Sequence, residues 1–165
     1  MLLGGFVLLA HPTWASMLYS LPLILTGLWL RAWAAGHLEK NQDLAISGPY
    51  AYTRNPLYLG TLIVAAGFCV AANDPWLPVL FAAIFFLIYI PVMYEESSHL
   101  TKLFPGYAAY AQGVPLLVPR LTAWSQSPKR FSWAIFKRNK EEKAWYGALA
   151  GLVLLAGKMQ FLRYY

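Results

Sequence analysis

Cysteine is all but missing. Cys69 is the only one in 165 residues, which excludes an intrachain disulfide and a cysteine-rich metal site. It sits inside an apolar run, as a small buried apolar residue would. Charge is scarce too. Only 12% of residues are charged and 59% are hydrophobic, against roughly 25% charged in a soluble domain. That balance argues for a bilayer, and the length suits one domain. Acidic residues are the rarer sign: 7 Asp and Glu against 13 Lys and Arg leave a net charge of +6. Most of the basic residues lie beside apolar runs, so anionic lipid headgroups are the expected partner, not nucleic acid. The three histidines, His11, His37 and His99, show no metal-ligand spacing. A Gly-rich phosphate loop, a His-Glu-x-x-His motif and a Gly-x-Ser-x-Gly elbow are all absent. There is no tandem repeat or low-complexity tract. The N-terminus lacks the basic region of a cleaved signal, and apolar sequence resumes after His11-Pro12-Thr13.

What is present is a sequence of apolar runs around one crowded stretch. Gly48–Gly60 reads Gly-Pro-Tyr-Ala-Tyr-Thr-Arg-Asn-Pro-Leu-Tyr-Leu-Gly. Gly48-Pro49 and Asn55-Pro56 both break regular structure, which predicts a compact loop feeding into a helix with proline in its first turn. Leu2–Ala10 is apolar but too short to cross alone, since a span needs about 20 residues. It reads as a half-span. Trp14–Gly36 is long enough, with Arg31 placed to snorkel. Trp29, Trp33 and His37 share a helical face, as an interfacial aromatic belt or with His37 turned to the site. Leu57–Asn73 and Trp76–Tyr94 form an apolar hairpin. Gly60 and Gly67 allow close helix approach, and Pro78 and Pro91 interrupt the second arm. Glu95–Gly113 reads as a surface or docking helix broken at Pro105-Gly106, with Leu100, Leu103, Phe104, Tyr107 and Tyr110 on one stripe. Val114–Pro119 is extended. Thr122–Lys143 is a basic connector, read as a solvated, lipid-facing charge run. Ala144–Gly157 is a last apolar run, short for a span. It crosses with snorkelling ends or lies in the interface.

Lys102, Arg120, Lys129, Arg130, Lys137, Arg138, Lys140 and Lys143 put 8 of the 13 basic residues between positions 95 and 143. The positive-inside rule places that segment in the cytoplasm. The central loop lies two crossings away, on the same side. Arg54 and Glu96 therefore face one membrane surface, where a charge turned inward is costly unless paired. A pair between them satisfies both. Glu95 has the same position but reads equally as an ordinary interfacial charge.

These motifs resemble the membrane-embedded methyltransferases of the isoprenylcysteine carboxyl methyltransferase and phospholipid methyltransferase superfamily. The resemblance rests on Gly48-Pro49-Tyr50, Arg54-Asn55-Pro56-Leu57-Tyr58-Leu59-Gly60, Glu95-Glu96, Leu100, Phe104, Tyr107, Tyr110, Val114-Pro115 and Val118-Pro119. It runs from about residue 12 to 121. It implies S-adenosylmethionine as cofactor, held by Gln42, Asp43, Leu44, Ala45, Tyr50, Asn55, Pro56, Leu57, Tyr58 and Glu96, with no metal. Glu96 would accept from the cofactor's ammonium, and tyrosine faces would steady its sulfonium. Arg54 is the implied catalytic residue, orienting an anionic acceptor or bracing Glu96. Asn55 stands where the prenylcysteine enzymes carry histidine. Val92 stands where they carry an arginine tied to the substrate carboxylate.

The expectation is thus an all-α, polytopic integral membrane bundle. It has about four membrane-embedded helices, a short N-terminal half-helix and a cofactor loop on the cytoplasmic side. Residues 1–121 form the methyltransferase core, and 122–165 the basic connector and C-terminal apolar helix. The expected function is methyl transfer to a lipophilic acceptor, an isoprenoid-like carboxylate or thiol, with a phospholipid amine as the alternative. A scaffold or transporter that keeps the fold without the chemistry is the rival from another class. A membrane reductase is a weaker one, since no nicotinamide site is visible.

Overall fold

The computed structural model describes residues 2–125 and 127–164, with side chains for 5–125 and 127–161. It is helical, and no strand forms among the described residues. The helices are α1 (Leu2–Leu9), α2 (Trp14–Ala35), α3 (Pro56–Ala72), α4 (Trp76–Leu103), α5 (Tyr107–Gly113), α6 (Trp133–Arg138) and α7 (Glu142–Tyr164). Two of them, α2 and α4, are long and apolar enough to cross a membrane, and α3 is apolar over 17 residues. Trp14, Leu18, Tyr19, Phe86 and Leu87 are all exposed. Such outward apolar surface suits a bilayer rather than water.

Local chemistry sets the ends. Thr13 and Ser16 cap α2 reciprocally, each side chain bonded to the other's backbone N–H. Asn73 ends α3 in the left-handed region, with φ 52°. Helices α2 and α3 pack at backbone distance. A Cβ on Gly67 would stand 2.6 Å from Ile24, and one on Gly60 would stand 2.5 Å from the Arg31 stem. Close approach at both glycines matches the expectation from sequence.

The second arm of the hairpin differs from its reading. It does not stop at Tyr94: α4 runs on to Leu103, and the interruption read at Pro91 takes the form of a π turn just before it. A proline ring clashes with the carbonyl four residues back. Here a π turn over Phe85–Tyr89 takes up the strain, with Ile90 N–H donating to Phe85 O. Glu95 and Glu96 therefore project from the same rod as the apolar arm. The break at Pro105-Gly106 is present, and α5 follows it.

The C-terminal region also departs from expectation. Helix α7 has 23 residues, well beyond Ala144–Gly157. Its Leu155 is buried with Ala10, Ala71, Ala72 and Leu77, and its Ala148 with Ile24 and Leu28. Lys158 does not snorkel. Its ammonium donates to Val7 O, Leu8 O and Ala10 O, closing the carbonyl end of α1. Arg31 does not snorkel either. Its Nε lies 2.6 Å from Glu141 Oε1, and its Nη1 donates to Leu57 O and Thr61 Oγ1.

Candidate functional site

The central loop is held by a strap rather than by its own turns. Arg54 N–H donates to Pro115 O at 2.9 Å, Thr53 Oγ1 to Leu117 O at 2.9 Å, and Asn55 Nδ2 to Leu116 O at 2.9 Å. Arg120 N–H and Trp124 N–H return to Tyr52 O and Ala51 O. The extended segment after α5 thus pairs with the loop almost residue for residue. Gly48 opens the loop at φ 55°, and a Cβ there would stand 2.7 Å from the His37 ring. Only glycine combines that left-handed backbone with so close a neighbour. His37 is buried, with Nδ1 2.9 Å from Ser47 Oγ. Burial lowers its pKa. It braces the loop entrance and belongs neither to an exposed belt nor to the cavity, whereas Trp29 is exposed.

Between the loop, the end of α4 and α5 lies a cavity of about 200 Å³. Asp43, Leu44, Ala45, Tyr50, Arg54, Leu57 and Glu96 line it. Seven of the eleven residues marked from sequence meet there. The other four stand apart. Asn55 spends its amide on the strap, Pro56 is buried at the start of α3, and Gln42 is exposed. Tyr58 meets Tyr89 edge-on at 5.8 Å, and its hydroxyl lies beside the Glu96 carboxylate.

Sequence reasoning left other walls unassigned. Leu100, Phe104 and Tyr107 complete the cavity; their spacing of four and three residues was the available signal. Leu38, Glu39, Lys40 and Asn41 form the rim, with no motif to reveal them.

The electrostatics divide the cavity in two. Deep inside, Tyr110 donates its hydroxyl to Tyr50 O at 2.9 Å. Burial pushes both phenols above their ordinary pKa, so they stay protonated donors. Arg54 Nε is buried with no partner among the described residues, although a buried donor without one costs about 1–3 kcal/mol. No ion pair joins Arg54 to Glu96, contrary to the pairing read from topology. Both line the cavity, but Arg54 remains available to a ligand.

At the rim, Lys129 Nζ bridges Glu39 Oε1 at 3.1 Å and Asp43 Oδ2 at 2.6 Å. Its hydrogen bond holds the Asp43 carboxyl below the usual range. The connector is therefore not a free charge run. Asn139 Nδ2 caps α2 at Ala35 O and Leu38 O, Ser132 N–H donates to Gly36 O, and Ser125 Oγ donates to Ile46 O.

Against known proteins, the phospholipid methyltransferase family model matches residues 5–106. The chain belongs to that family. The match spans α1 to α4 and so includes the loop, Arg54 and Glu96. The chain is also 31% identical over 158 residues to the cobalt-zinc-cadmium resistance protein CzcN of Cupriavidus metallidurans. That alignment covers 89% of this chain and 73% of the relative. It is 27% identical over 138 residues to the nickel-cobalt-cadmium resistance protein NccN of Alcaligenes xylosoxydans xylosoxydans, covering 83% of this chain and 62% of that one. No solved structure matches significantly. Family methyltransferases generally use S-adenosylmethionine, and the donor set here fits its chemistry. Glu96 would take the cofactor's ammonium, the unpartnered Arg54 Nε could take a carboxylate, and the tyrosine faces would suit a sulfonium. The enclosed volume falls below the roughly 300–1,000 Å³ of small-molecule sites. Exposed ion pairs such as those of Lys129 at the rim contribute only about 0–1 kcal/mol.

Proposed function

We propose that this protein transfers a methyl group from S-adenosylmethionine to a lipophilic acceptor that enters from the bilayer. The observation that carries the reading is one cavity presenting Glu96, Tyr50 and the unpartnered Arg54 together, within the span of the family match. When bound, the cofactor supplies an electrophilic methyl on sulfur; the acceptor's lone pair takes the methyl, and the carbon–sulfur electrons stay with sulfur. Glu96 holds the positive end of the cofactor. Arg54 orients a negative group through the planar donor fork of its guanidinium. Tyr50 and Tyr110 keep the floor rigid, while Leu100 and Phe104 exclude water. A carboxylate or thiolate acceptor attacks as it is, with no proton to move; a phospholipid amine must first give up its ammonium proton to free the lone pair. The loop side is cytoplasmic by the excess of basic residues in the connector.

Two acceptor classes have support. The unpartnered Arg54 favours an anionic head, such as an isoprenoid-like carboxylate or a thiolate. The family description favours a phospholipid amine. If the chain shares the setting named for CzcN and NccN, the modified lipid rather than a bound metal would be its contribution.

Calorimetry with S-adenosylmethionine and S-adenosylhomocysteine on detergent-purified protein tests the reading. Micromolar binding is expected, weakened about tenfold or more by Glu96→Ala and by Tyr107→Ala, from loss of a charge-assisted bond and of an aromatic face of the cavity. Wild-type affinity in both variants would sink the site assignment. Labelled methyl transfer into lipid extracts then separates carboxylate, thiol and amine products.

A further inference from the structure

A second cavity, about 570 Å³ and almost wholly apolar, lies between α1, α3, α4 and α7. Two features join it to the polar cavity. On α3, Leu57 lines the polar cavity, and Thr61, Val64 and Phe68 line the apolar one. These positions fall 4, 7 and 11 residues after Leu57, on a single helical stripe. On α4, Leu77 and Ile84 line the apolar cavity, and Glu96 and Leu100 the polar one. Ile84 and Glu96 are 12 residues apart. At about 100° per residue a regular helix would turn them about 120° from each other. The π turn at Phe85–Tyr89 takes up one extra residue, which leaves them about 20° apart. The turn thus sets the acid above the apolar wall.

The far wall comes from α7, outside the residues that the family model matches. Gly151 lets α7 close on Phe68, where a Cβ would stand 2.8 Å from the ring. Gly147 also lines the cavity, and a Cβ there would meet nothing within 4 Å. Along α3 the apolar cavity runs from Thr61 to Cys69, about 12 Å at 1.5 Å per residue.

We propose that this cavity binds the hydrocarbon chain of the methyl acceptor, with the acceptor's nucleophilic head delivered along the shared stripe to Arg54 and Glu96. The proposal rests on the methyltransferase reading. It adds that the acceptor is a single-chain amphiphile whose chain fit is set by α7. The narrow stripe suits one chain, and the surrounding bilayer is the source of such molecules.

The test uses the full chain in nanodiscs and a long straight-chain alkyl probe with a terminal diazirine. Photolabelling is expected on peptides containing Thr61–Phe68 and Gly147–Leu154. Gly147→Trp fills the space from α7, and Ala65→Leu narrows it from α3. Each should cut labelling about tenfold, as mismatched groups in apolar pockets do. Labelled methyl incorporation into membrane lipid extract should fall in parallel, while S-adenosylhomocysteine affinity stays at wild type. Labelling that spreads over the outward helix faces and ignores both variants overturns the proposal. Labelling that is lost while methyl incorporation persists also overturns it, since the occupant is then a resident lipid. If the wild-type chain binds no S-adenosylhomocysteine but still labels in the cavity, the catalytic reading fails, and the acceptor assignment fails with it.

Discussion

Arg31 and Arg54 both sit where a helix meets the central loop, yet their surroundings are opposite. Arg31 is saturated: Glu141, the Leu57 carbonyl and the Thr61 hydroxyl take its donors. Gly60 makes room for its stem. Arg54 uses only its backbone in the strap, and its buried Nε has no partner among the described residues. A saturated guanidinium is a joint. It ties α2, α3 and the start of α7 together and has little left to offer a ligand. An unsaturated one, facing a cavity lined by Glu96 and by the phenols of Tyr50, Tyr107 and Tyr110, is stored binding capacity. Removing each side chain should therefore affect different observables.

The largest effect is expected at the joint. Glu141→Gln leaves Arg31 without its counter-charge in a half-buried position, at a cost of about 3 kcal/mol. Thermal unfolding in detergent should show the loss, and the folded fraction should bind cofactor as wild type does. Unchanged stability would mean that the pair is not the joint described here. Arg54→Ala should do the reverse. Its melting temperature stays near wild type, because the strap bond to Pro115 is made by the backbone. Methyl transfer falls about a hundredfold, the worth of one charge-assisted contact to a ligand. A stability loss as large as that at Glu141 would erase the contrast.

The smallest effect is at the rim. Lys129→Ala removes the attraction that holds the Asp43 carboxyl below its ordinary range. These groups are exposed, so the change in stability should be well under 1 kcal/mol and should vanish in high salt. The sign follows from the lowered pKa. The contribution is present above the ordinary carboxylate value of 3.8 and is lost as pH falls through the folded one. Acid titration of wild type and variant should converge at the low end. If cofactor affinity changes more than stability does, the rim is part of the gate to the cavity.

Much of the site could be read in the chain because it is local. The loop between Gly48 and Gly60 is specified by two prolines and by a glycine that only a left-handed turn explains. Leu100, Phe104 and Tyr107 announce a shared face through spacing alone. Asn55 shows where that reading stops: the motif points to a ligand contact, yet its amide donates to Leu116 O, 61 residues away. The connector shows the same limit. Lys129 reads as one charge in a basic run, and nothing nearby in sequence reveals its partners at Glu39 and Asp43.

By itself the sequence determined the apolar runs, their breaks at proline and glycine, and the residue types at the loop, since each depends on backbone sterics and on periodicity within a few turns. Tertiary structure alone decided which arginine is saturated and that α7 packs beside α1 and α3 to wall a second cavity. Those outcomes depend on which donors and surfaces meet across more than 50 residues of chain, where desolvation and packing, not local propensity, set the energies.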